Sequence, residues 1–230
     1  MKYVYGFSIA TIMFCSCKKE TLVGTAADIS SGYFPLRQGN WIIYNVDSVA
    51  HLTDDDGTDQ PDTSIANFHF KIKEVVDTSF IDGEGKLAYR IMRYRQTNDT
   101  LPWDFESVWV ASVTGNSAQR VEDNIRYIKL SFPINIHTTW NGNAYNEFTE
   151  EEYSYTEVHA PFSLGTFHFD STITVLQAED NNFLTSIYKE EKYAQNVGMI
   201  YKQKDSLAYN GIQQVINGFE YKETIEAYGN

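Results

Sequence analysis

Cysteine is almost missing. The 230-residue chain holds two, Cys15 and Cys17, both in FCSCKKE near its start. No disulfide framework can be built from them, since a pair one residue apart is a poor disulfide and no other cysteine follows. Paired C-x-x-C zinc sites and a cysteine nucleophile in the body are excluded for the same reason. Equally absent are a G-x-S-x-G elbow, a phosphate-cradling glycine loop and an H-E-x-x-H helix, so no motif argues for an enzyme or a cofactor. Positive charge is scarce too: 18 basic residues face 31 acidic ones, a net charge of −13. Such a surface repels nucleic acid and anionic membrane and favours solubility. Long apolar runs are lacking as well. The stretch YVYGFSIATIMF, residues 3–14, is far below the roughly 20 residues that span a bilayer.

That stretch follows Lys2 and reads as an export signal covering residues 1–16. A lipoprotein signal needs a small residue just before the modified cysteine. Ser16 before Cys17 satisfies this, whereas Phe14 before Cys15 does not. Cys17 is therefore the expected lipid attachment site, palmitate included, and Cys15 leaves with the signal. Several acyl chains, at about 0.8 kcal/mol per buried CH2, anchor a protein in effect permanently. The membrane is thus the expected partner of the N-terminus. CKKE resembles the start of Bacteroidota-type lipoproteins, in which a lysine-and-acid segment after the cysteine serves in surface export. That resemblance implies an outer-membrane location and leaves the face open. Residues 17–32, with TLVGTAADISSG from Thr21, have the composition of a tether, so the expected globular part is one β-rich domain over 33–230.

The body reads as strands. In FHFKIK, Phe68, Phe70 and Ile72 alternate with His69, Lys71 and Lys73; similar alternation runs through Phe167–Val175 and Phe219–Glu226. Half-wet alternation belongs to antiparallel sheets. IDGEGK at 81–86 and SLGT at 163–166 read as hairpin turns. FLTSIYKEEKYAQ, 183–195, carries the best helical spacing but suits a strand as well. The expected fold is mainly β, a single antiparallel meander forming a half-barrel or sandwich with little helix.

FPLRQGNW at 34–41 and FPINIHTTW at 132–140 echo each other, each placing Phe-Pro ahead of a tryptophan. Proline cannot donate to a ladder, so each copy is expected to approach the sheet from a loop or edge. FPLRQGNWIIYNVDSV and NVGMIYKQK (196–204) resemble the opening and closing motifs of a loosely defined group of uncharacterised β-rich lipoproteins. Some of that group are similar to the half-barrel of outer-membrane lipoprotein carriers, which holds acyl chains in its concavity. The resemblance implies a fold and carries no catalytic residue.

Four sets of residues are candidate sites. Trp41, Trp103, Trp109 and Trp140 suit either a sugar-stacking platform or an apolar cavity, although core packing is the commoner use of tryptophan. DDDGTDQPD, 54–62, offers Asp54, Asp56 and Asp59 as weak calcium ligands, against a solvated loop as the plainer reading. His159 and His168 would meet across the SLGT hairpin and could share a metal, although surface histidines are commoner there. Four Asp-Ser/Thr triplets resemble the O-glycosylation signal of secreted Bacteroidota-type proteins and nominate Ser48, Thr100, Ser171 and Ser206. The function expected from all this is a non-catalytic envelope lipoprotein that binds an apolar or lipid-like ligand or serves structurally. A glycan-binding accessory lipoprotein is the alternative, and an envelope hydrolase a third.

Overall fold

The computed structural model describes residues 32–54 and 62–230; the export signal, Cys17, nearly all of the tether, Asp56 and Asp59 lie outside the described residues. Twelve strands follow one another: β1 (Trp41–Asp54), β2 (Asp62–Ile81), β3 (Leu87–Gln96), β4 (Asp104–Val113), β5 (Ser117–Glu122), β6 (Ile125–Ser131), β7 (Thr139–Asn141), β8 (Glu152–Leu164), β9 (Phe167–Asn181), β10 (Thr185–Ala194), β11 (Gly198–Tyr209) and β12 (Val215–Gly229). No helix occurs among the described residues, and the ambiguous 183–195 stretch is β10.

The strands form one antiparallel sheet in which every strand pairs with its sequence neighbour, and β12 pairs with β1. The meander is as expected, and the sheet goes beyond a half-barrel to near closure. Only β6 and β7 are not laddered together. They meet instead through single contacts: Ile128 N donates to Gly142 O at 2.9 Å, and Trp140 Nε1 donates to Ile128 O at 2.9 Å. The Tyr155 hydroxyl bridges the same gap, donating to Ser131 O at 2.8 Å and accepting from Ser131 N at 3.0 Å. Near closure removes most of the exposed sheet edge, where unpaired backbone groups invite aggregation.

Both anticipated hairpins form. In the β2–β3 turn Asp82 accepts from the amides of Glu84 and Lys86, and Gly85 takes the positive φ of 76° that a side chain disfavours. The Phe-Pro echo falls at matching points, since Trp41 opens β1 and Trp140 lies in β7, so each copy precedes six strands.

Alternation sorts the faces. Tyr44 and Val46 pair across β1–β2 with Ile72 and Phe70, and all four are buried in the lumen with Ile91, Trp109, Ile173, Val175 and Tyr193. Outward positions of β1, β2 and β12 carry Asp47, His69, Lys71, Lys222 and Glu226, the reverse of the apolar belt of a membrane barrel. Phe68, read as buried, is half exposed because β2 runs on past the packed part of the lumen. Residues 33–40 fold across one end. Phe34 sits inside against Tyr193 and Arg120, and Tyr33 is fully buried, bonded to His159 at 2.7 Å and Ser171 at 2.6 Å. The 142–151 connection between β7 and β8 covers the other end, where Tyr153 packs flat on Gly142; a Cβ there would lie 2.3 Å from its ring.

Candidate functional site

The lumen holds charge as well as apolar residues. Glu74 and Arg93 are directly opposite across β2–β3, as are Glu191 and Lys202 across β10–β11, and Lys202 and Glu223 across β11–β12. Their ion pairs form two groups in the lumen, coupled through the field between Arg120 and Glu122. Arg93 donates through Nε to Glu74 at 3.1 Å and its Nη2 lies 3.7 Å from Glu223, while Arg120 donates to the second Glu74 oxygen at 2.7 Å. Lys129 meets Glu191 at 2.5 Å and Glu122 at 3.3 Å, and Lys202 lies within 4 Å of both. Cations Arg93, Arg120, Lys129 and Lys202 thus balance anions Glu74, Glu122, Glu191 and Glu223. The pair Arg95–Glu106 adds one of each at the side, Glu106 also reaching Arg93 at 3.8 Å.

Balance is what makes this burial tolerable, because an isolated charge loses far more hydration than a dry interior returns. Burial alone would raise the Glu122 carboxyl, but Lys129, Lys202 and Arg120 outweigh it and hold the group well below the carboxylate range. Glu191 is lowered too, its burial outweighed by Lys129 and Lys202. Burial opposes the charge of Lys129 and Arg120, yet Glu122 with Glu191, and Glu74 with Glu122, push each net upward. Glu122, Glu191, Lys129 and Arg120 therefore stay ionised, which fits a structural role better than proton transfer.

Two cavities flank the network. Under residues 33–40 lies one of about 500 Å³, walled by Leu36, Trp41, Ile42, Val76 and Met199, with Glu74 and Arg120 at its floor. Arg120 Nε is buried there without an acceptor. At the other end, under the β7–β8 connection, a cavity of about 600 Å³ is lined by Lys189, Lys202, Lys204, Gln177 and Tyr153 among others.

The four tryptophans are not brought together. Trp41 is half-buried at the first cavity, with Lys73 Nζ 5.4 Å from its ring centre. Trp109 is buried in the lumen, with the Arg93 guanidinium stacked on it at 3.6 Å and its Nε1 donating to Asp123. Trp140 belongs to the β6–β7 seam, packed on Tyr155, and Trp103 stands half-buried ahead of β4. No sugar platform forms from them.

The shared metal of His159 and His168 is corrected by the register. Ser163, not His159, pairs with His168 and bonds it at 3.0 Å, while His159 bonds Tyr33; the tight turn that sets Leu164 opposite Phe167 places His159 four residues further from the turn than Ser163. Among the described residues no group of three or more His, Cys, Asp or Glu side chains is placed to hold a metal ion. Asp54 ends β1. Of the glycosylation candidates, Thr100 is exposed in a turn, whereas Ser48, Ser171 and Ser206 lie inside strands and Ser171 is bonded to Tyr33.

The charged lumen residues were missed by reading charge as outward. Their signal was parity: Glu74 stands two residues from Ile72 and two from Val76, and Glu223 two from Tyr221 and two from Ile225, so each occupies an inward position.

No protein family and no curated protein matches the chain. Among solved structures, a protein of Parabacteroides distasonis described as a predicted lipoprotein is similar, at 9% identity and a TM-score of 0.42, covering 86% of this chain and 98% of that one.

Proposed function

We propose that the chain is a non-catalytic lipoprotein of the outer membrane, tethered through a lipid on Cys17, whose barrel takes up an apolar or lipid-like ligand beneath residues 33–40. The observation that carries this reading is the cavity of about 500 Å³ with its wall of Leu36, Trp41, Ile42, Val76 and Met199. Its size lies within the range of pockets that enclose small organic ligands. Burial of Trp109 and half-burial of Trp103 support the apolar version over a glycan platform, which needs exposed coplanar indoles. The charged outward face supports a barrel that sits in water on a tether rather than in the bilayer.

Native mass spectrometry of gently purified protein, looking for a co-purified or added fatty acid or phospholipid, tests the reading. A bound acyl lipid supports it. A clean ligand-free mass that persists after incubation with fatty acid and phospholipid overturns it.

A further inference from the structure

We propose that the cavity under the β7–β8 connection is a second binding site, for a small ligand carrying one carboxylate, received by the Lys204 ammonium and the Gln177 side-chain amide. It stands apart from the cavity under residues 33–40, at the opposite end of the lumen. The two sites are separated by the balanced ion network, whose charges are already used on one another.

The argument begins with register. Lys189 of β10 and Lys204 of β11 are direct cross-strand partners, and like charges so placed repel. Glu151 neutralises Lys189 through a direct ion pair. Lys204 has no carboxylate within ion-pair distance among the described residues, and its Nζ lies 5.5 Å from the centre of the Phe219 ring. Lys202, two residues earlier on the same strand, is shared between Glu122 and Glu191. The row therefore ends with one cation over.

A second observation points the same way. Gln177 of β9 lies beside Lys189 in the next strand, is 7% exposed, and lines the cavity, yet its Nε2 has no acceptor. A buried N–H without a partner is uncommon because it forfeits its hydration. One carboxylate between Lys204 and Gln177 satisfies both groups. Partial burial, then Lys202 and Lys189, hold the Lys204 ammonium below its ordinary range, so an anion in the cavity relieves a real conflict. The acids of the covering loop, Glu147 and Glu150, also face this cavity and select against a polyanion.

The test is a titration of the full purified chain with acetate, with inorganic phosphate and with chloride at matched ionic strength, followed by lysine side-chain NMR. Expected are a saturable acetate-dependent shift of the Lys204 Cε resonance, a raised Lys204 pKa in the complex, and no such response to chloride. Read at the Cε resonances of Lys189 and Lys202, which line the same cavity, Lys204→Gln and Gln177→Leu should each weaken acetate binding on the order of tenfold, as loss of a hydrogen bond to a charged group does. Lys204 faces solvent in the cavity mouth, so its variant keeps the fold and tests the site even if Gln177→Leu unfolds. The proposal is overturned by no saturable acetate response, by equal acetate affinity in Lys204→Gln, or by preference for phosphate over acetate.

Discussion

Glu74 is the residue on which the lumen's charge balance turns, because its two oxygens hold Arg93 and Arg120 separately. Neutralising it takes from Arg120 its ion-pair partner among the described residues and from Arg93 its nearest one, leaving Arg93 only Glu223 and Glu106 at 3.7 and 3.8 Å. Glu74→Gln should therefore cost about 3–5 kcal/mol, the range for breaking a buried pair from one side, read as a lower denaturation midpoint. The same network sets the pH profile. Glu122 and Glu191 have folded pKa values below their ordinary 4.5, so their contribution is whole above about pH 4.5 and is lost as pH falls through the depressed values. Tyr44 and Tyr193 move the other way. Burial raises both far above 10, so the unfolded chain sheds phenolic protons first and stability falls again above about pH 10. Denaturation across pH should show a plateau between these limbs, with the acid limb shallower in Glu122→Gln; an unchanged limb in that variant would refute the assignment. None of these residues announces itself in a list of motifs. A charge in a strand reads as solvent-facing unless its parity with neighbouring apolar residues is counted.

At the scale of elements, the β6–β7 seam is where the sheet is weakest. β1 pairs with β12 from Trp41 to His51, whereas the seam rests on isolated bonds, two of them from one hydroxyl. Tyr155→Phe keeps the ring in place and removes that hydroxyl. Its expected cost is about 1–3 kcal/mol, the loss when buried backbone groups go unpaired. Hydrogen exchange at Ser131 should accelerate while that of β1 and β12 amides stays slow. Uniform acceleration around the barrel would instead mean that the seam has no special role. The hairpins were legible because turn chemistry is local, as Asp82 and Gly85 illustrate. β10 was harder, since Ile187, Tyr188 and Glu191 satisfy a helical period, and the ladders to β9 and β11 override local preference.

For the whole molecule, the proposed lipid on Cys17 gives an outcome independent of either cavity. Cys17→Ser should shift the protein from the membrane pellet to the soluble fraction and abolish incorporation of a palmitate analogue. Persistence in the pellet would point to the barrel itself, against the charge on its outer face. Near closure also explains why the four tryptophans do not meet. Around a barrel, residues of one type spread over different walls, so Trp109 becomes a shelf for Arg93 while Trp140 serves the seam.

By itself the sequence determined the strand character of 68–73, 167–175 and 219–226, their antiparallel sense and the β2–β3 and β8–β9 turns, since period-two patterning and turn residues act over a few positions. It also carried the expected lipid signal, which is read along the chain and not through space. Closure of β1 on β12, the seam, and the pairing of Glu74 with both Arg93 and Arg120 were decided only by tertiary structure. These join residues far apart in sequence. Their energies depend on which side chains share a dry lumen and which are left without a partner there, and no local pattern encodes that.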